Sequence, residues 1–215
     1  MHISEGILPA QLSISAYGLT SLITWYSLRK INRLPNPQAS IPKASLLTAA
    51  FFVASSIHIP MPIGSVHLVL NGLLGAVLGY YAFPAILIGL FLQGIMFGHG
   101  GLTTLGINAI IIGIPAIFAH QIFQLRHILG NKIKENLSMK IFGFIAGATA
   151  IGVSSLIFFS LIITNLPSGF NTSLEQKAIY GLMISHIPLM GIEGTLTAMI
   201  LSFMHRVMPE ILLVK

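Results

Sequence analysis

Eight histidines stand in a chain with no cysteine and no aspartate, so any transition-metal chemistry must use imidazole, carboxylate, thioether or backbone nitrogen. Met1-His2 offers the most distinctive donor set. The terminal amine of Met1, the amide nitrogen of His2 and the imidazole Nδ1 of His2 close one five-membered and one six-membered chelate ring around a single divalent ion. Once the metal helps displace the amide proton, the three nitrogens lie nearly coplanar, which suits square-planar Ni(II) or Cu(II) and leaves a fourth corner for another imidazole. His67 is the expected fourth donor; His99, His58 and Asn71 are candidates to orient the ligands from behind. Residues 1–9 show neither a basic n-region nor a small-residue cleavage site, and a bulky second residue blocks removal of the initiator methionine. Met1 is therefore expected to keep its place and its free amine. Glu193, within Met190-Gly191-Ile192-Glu193-Gly194-Thr195, is the one carboxylate deep in an apolar run. Buried ionisable groups are costly, so it is a candidate for proton relay or coupling, with hydrogen bonding across a helix interface as the other reading. The nine methionines are dispersed and read as core filling rather than a thioether path.

The elements that must position these groups are membrane helices. Of 215 residues, 54% are hydrophobic and 7% charged, with a mean hydropathy of +0.88, whereas a soluble domain carries roughly 25% charged residues. The net charge of +6 and pI of 9.9 do not point to nucleic acid, because the bases are too few and scattered to track a phosphate backbone. The pattern predicts an all-α integral membrane protein, a seven-transmembrane-helix bundle with spans near 10–28, 44–59, 67–82, 84–97, 107–125, 141–163 and 178–203. Residues 1–215 form one transmembrane domain, with residues 1–9 as a metal-binding tail. Placing Arg29, Lys30, Arg33 and Lys43 in the cytoplasm puts the N-terminus outside and the C-terminus inside, with Lys177 the only external base. The same alternation sets His2, His58, His67 and His99 at the outer side, His186 about two turns inside the outer end of the last span, and His120, His127 and His205 toward the cytoplasm. Irregular external segments, Ile59 through Val66 and Gly98 through Gly106, then deliver His67 as a helix begins and allow close backbone approach around His99.

The sequence contains no H-E-x-x-H, G-x-S-x-G, P-loop or dinucleotide-binding glycine pattern, and a single intramembrane acid provides no carboxylate pair. An enzyme is not expected. The opening Met1-His2-Ile3 with Glu5-Gly6 and Leu8-Pro9, the run Val66 through Gly75, the stretch Gln93 through Asn108 and Ile192-Glu193-Gly194 resemble the substrate-specific membrane subunit of cobalt and nickel energy-coupling-factor (ECF) transporters, the CbiM/NikM type. The likeness covers almost the whole chain.

The resemblance implies a seven-helix capture subunit, resident in a prokaryotic cell membrane, whose tail tucks into the bundle. It implies metal binding through Met1, His2 and His67, with Ni2+ or Co2+ as transported substrate and no resident cofactor. It also implies partners: a transmembrane coupling (T) subunit, cytoplasmic ATPases (the A component) and a small accessory membrane protein. Family members differ around the internal histidine, and the residue equivalent to His99 need not be histidine, so nickel and cobalt both stay open. A self-sufficient proton-coupled permease using Glu193 is the competing expectation.

Overall fold

The computed structural model describes residues 2–60, 65–129, 134–165 and 173–212. The Met1 donor, Lys132, Lys215 and the Pro167-Ser168-Gly169 turn lie outside the described residues, as does the side chain of His58. The helices are α1 (Ala10–Ile31), α2 (Ile41–Ser56), α3 (Asn71–Leu78), α4 (Ala82–Phe97), α5 (Leu105–Gln124), the short α6 (Arg126–Leu129), α7 (Glu135–Thr164) and α8 (Ser173–Val207). Leu105–Ile128, Glu135–Thr164 and Lys177–Val207 are helices long and apolar enough to cross a membrane, and the run Asn71–Phe97, made of α3, a 3-10 turn and α4, matches them in length and composition. Large apolar side chains such as Ile14, Leu22, Ile184 and Phe203 point outward while Thr20, Asn71, Asn108 and Glu193 are buried, an arrangement fit for hydrocarbon rather than water.

Two expectations about local structure are corrected. Both flanks of the segment expected to be irregular are paired: β1 (His58–Pro60) and β2 (Ser65–His67) run antiparallel, with His58 opposite His67. The third helix does not start at 67. His67 ends a strand, Leu70 takes a left-handed conformation with φ of 54°, and α3 starts only at Asn71. A branched residue is disfavoured there by roughly 1–2 kcal/mol, so surrounding contacts must hold it.

Contacts between helices give their directions. Along α3, Asn71 meets Ile112, Gly75 meets Ala116 and Gly79 meets His120, so α3 runs parallel to α5. Along α4 the order is reversed, with Phe83 on Gly113 and Gly94 beside Gly101 and Leu102. The run Asn71–Phe97 is therefore a tight helical hairpin that folds back at Gly79–Tyr81. Gly75 makes that packing possible, since a Cβ there would lie 2.0 Å from the Ala116 carbonyl oxygen. In the same way α1 runs with α5, while α7 and α8 are antiparallel: His205 approaches Glu135 at one end, and the Phe159 and His186 rings meet toward the other.

Candidate metal centre

The tail enters the bundle as an extended segment clamped by the start of α5. Asn108 accepts the Ile3 amide proton at Oδ1 (2.9 Å) and donates from Nδ2 to the Ile3 carbonyl (3.1 Å), as a neighbouring β-strand would. Two residues on, the Glu5 carboxylate accepts from the Thr103 amide (2.9 Å) and hydroxyl (3.0 Å), and these donors hold its pKa below the usual value. The glycines of the GHGG loop make room for this clamp. Gly101 has φ of 92°, and a Cβ on it would sit 2.1 Å from the Glu5 side chain. Ile3 is fully buried as a result, and His2 is 2% exposed.

The imidazoles of His2, His67 and His99 converge at this point. Ring centroids are 4.9 Å apart for His2–His67, 4.6 Å for His2–His99 and 6.0 Å for His67–His99. His67 Nδ1 lies 2.9 Å from the Leu68 carbonyl, which can only accept, so that nitrogen carries the proton and Nε2 presents a lone pair. This Nε2 is 3.0 Å from His2 Nδ1. Two nitrogens at adjacent corners of a square around an ion with bonds of about 2.0–2.1 Å are separated by about 2.9 Å, so the edge has the right length for one shared metal. Burial above all, with His67 and His99 adding to it, holds the His2 imidazole well below its usual pKa of 6.5, which keeps its lone pair available at neutral pH.

Among the described residues, no three His, Cys, Asp or Glu side chains are disposed to hold a metal by themselves. The arrangement supplies two well-placed imidazole nitrogens and a buried stretch of tail backbone beside them. The other sequence candidates fall elsewhere. Asn71 donates to the Ile112 carbonyl (3.1 Å) and Ser154 Oγ (2.9 Å), bracing α3 against α5 and α7 rather than touching an imidazole. His120 packs under Gly79 and Tyr80, His186 donates to its own helix at the Leu182 carbonyl, and His205 faces Glu135.

Glu193 is fully buried and points at the backbone that carries His67. Its Oε1 accepts the Val69 and Leu70 amide protons, and Oε2 accepts from Leu70 again (3.1 Å). These amides belong to the turn before α3, where free N–H groups and the helix dipole favour an anion. The carboxylate thus holds the left-handed Leu70 in place, three residues after His67.

Sequence reasoning singled out neither Asn108 nor Gln93 for a role. The available signal was a polar residue at a helical position in an otherwise apolar run, which marks a buried hydrogen bond without naming its partner.

Comparison with known proteins identifies the family and the fold. A family model described as the cobalt uptake substrate-specific transmembrane region, CbiM, matches residues 2–211. A candidate metal transport protein of Haemophilus influenzae is 33% identical over 212 residues, covering 99% of this chain and 97% of that protein. A candidate cobalt transport protein CbiM of Methanococcus voltae is 30% identical, covering 98% of this chain and 94% of that protein. A crystal structure of a transition metal transporter superposes with a TM-score of 0.75 at 23% identity, over 96% of this chain and 93% of that one, and so shares the fold. This is a multi-pass cell-membrane protein, and it belongs to the CbiM family of cobalt-uptake substrate-specific transmembrane proteins.

Proposed function

We propose that this chain captures Ni(II) or Co(II) at the outer face of the membrane and, with ECF partner subunits, mediates its ATP-driven import. The ligands are the Met1 amine, the His2 amide nitrogen, His2 Nδ1 and His67 Nε2. The observation that carries the reading is the 3.0 Å edge between His2 Nδ1 and His67 Nε2, with the His67 tautomer fixed by Leu68. Two nitrogen lone pairs 3.0 Å apart repel, and a divalent ion bound by both relieves that repulsion. The Asn108 and Glu5 contacts dock residues 3–5 of the tail against the bundle, so part of the ordering cost of binding is met before the metal arrives. Four nitrogens in a plane favour nickel over six-coordinate cobalt, while copper would bind at least as well, so selectivity rests on geometry and availability. The helices form seven spans with the tail outside. The sequence holds no P-loop pattern, and in this reading the energy is supplied by ATPases acting through a transmembrane coupling subunit.

The test is the amine. Protein with Met1 as its first residue is compared with protein carrying one extra residue before Met1, and with a control extended after Lys215. The native and control proteins are expected to retain metal and a ligand-field band of a four-nitrogen plane, and the N-terminally extended protein to lose both. Unaltered affinity and absorption after N-terminal extension overturn the reading.

A further inference from the structure

Behind His2 lies Gln93, fully buried in α4 and committed to α2 on one side only. Its Nε2 donates to Ser55 Oγ and to the Phe52 carbonyl (3.4 Å). Ser55 donates its own hydroxyl proton to the Phe51 carbonyl, so it has only a lone pair to offer Gln93. Both groups facing the carboxamide from α2 are acceptors. The nitrogen must therefore point at α2 and the oxygen away from it, and a flipped amide would set oxygen against oxygen. Gln93 Oε1 and His2 Nε2 are both buried, one an acceptor and the other a ring nitrogen able to donate, and neither makes a hydrogen bond. The Gln93 side chain lies close enough to the His2 ring to oppose in part the effect of burial on its basicity, so a small turn of either side chain pairs the two unpartnered atoms.

We propose that Gln93 is the positioning residue for His2: its Oε1 accepts the Nε2 proton, which leaves Nδ1 unprotonated, turns the ring toward His67 and links the metal ligand through Ser55 to α2. Histidines that bind metals commonly give their second ring N–H to such a partner, which fixes tautomer and orientation and makes the ligand nitrogen more basic. His67 does this through the Leu68 carbonyl; Gln93 does it for His2. The inference rests on the four-nitrogen reading above, and it adds a residue on a different helix whose contribution can be separated from the ligands themselves.

The experiment titrates Ni(II) into purified full-length protein by calorimetry and records the ligand-field absorption, for the wild type, Gln93→Met, Gln93→Glu and Ser55→Ala. Gln93→Met keeps the volume and removes the acceptor. It is expected to weaken Ni(II) binding about 10- to 100-fold and to shift the absorption band as the His2 ring turns. Gln93→Glu keeps an oxygen acceptor toward His2, the Ser55 hydroxyl can turn from Phe51 to donate to the second carboxylate oxygen, and the variant is expected to stay within several-fold of the wild type. Ser55→Ala loosens the carboxamide and is expected to move affinity and band in the direction of Gln93→Met by a smaller amount. Circular dichroism of the metal-free proteins separates loss of fold from loss of binding; if Gln93→Met does not fold, the other two variants decide. A Gln93→Met protein with wild-type affinity and band overturns the role of Gln93. So does Gln93→Glu failing as badly as Gln93→Met, because the contact to α2 would then be the one that matters. A wild type lacking the four-nitrogen band overturns the chelate instead.

Discussion

At the scale of the residue, three of the eight histidines serve the bundle itself: His120 packs on Tyr80, His186 donates to the Leu182 carbonyl and His205 faces Glu135, whereas His2 and His67 are the pair whose ring nitrogens face each other at 3.0 Å. Removing a direct donor costs more than removing an orienting partner, which is typically worth 10- to 100-fold. His67→Ala is therefore expected to weaken Ni(II) or Co(II) binding about 100-fold or more by calorimetry, with His127→Ala and His205→Ala near wild type. Equal losses from all three would remove the special status of the pair. The pH dependence follows from burial. Docked, His2 titrates well below 6.5; released into water, its tail titrates near 6.5. The released state therefore binds the extra proton first, so tail docking is strongest above pH 6.5 and weakens as pH falls below it. Metal affinity measured from pH 7.5 down to 5.5 is expected to decline below 6.5 by up to about tenfold per pH unit for each proton taken up. A profile flat to pH 5 would point to carboxylate ligands.

At the scale of the element, the helices were legible because long apolar runs punctuated by Pro, Gly and basic residues leave few alternatives. The β1–β2 pairing and the late start of α3 were not. Val66 through Leu70 is apolar throughout and carries no period that separates strand from helix, and nothing local announces that Leu70 adopts φ of 54°. That conformation is imposed from 123 residues away by Glu193. Likewise, the position of Asn108 marks a buried polar contact, but its partner Ile3 lies 105 residues earlier. Met-His and His67 could be read from donor chemistry, while the clamp that makes the tail rigid is purely tertiary. Two variants test these connections. Asn108→Ala leaves the buried Ile3 amide unpaired, at about 1–3 kcal/mol, and is expected to weaken metal binding roughly 5- to 150-fold with all proposed ligands intact. Glu193→Gln removes the charge and one acceptor from the Leu70 turn, and a loss of about 1–3 kcal/mol is expected in thermal unfolding, together with weaker metal binding. If Glu193→Gln instead leaves stability and binding untouched but abolishes dependence of uptake on the proton gradient, the permease reading gains what the carboxylate's hydrogen bonds do not supply.

At the scale of the whole molecule, the two ends of the bundle differ in chemistry. One end holds the clamped tail, the three converging imidazoles and Glu5. The other gathers the bases: Lys30 lies over Tyr26 and Tyr80, Lys43 donates to the Ile211 carbonyl (2.8 Å), and Arg126 packs on Phe123. Basic residues favour the cytoplasmic side, so in the proposed reading the metal site faces outside and the basic end faces the partner subunits. The lack of native cysteine makes the assignment directly testable, because a single introduced thiol gives a signal with no background. Lys177 lies near the start of α8, at the end shared with the imidazoles, and Asn36 follows α1 at the basic end; both are exposed. In intact cells, Lys177→Cys is expected to react with a membrane-impermeant maleimide, and Asn36→Cys only after the membrane is opened. The reverse pattern would put the tail, His67 and the metal on the cytoplasmic side, where capture for import makes no sense, and would overturn the function together with the topology. Labelling of both from outside would mean that one of these ends is not where the distribution of bases puts it, and the count of spans would have to change by one.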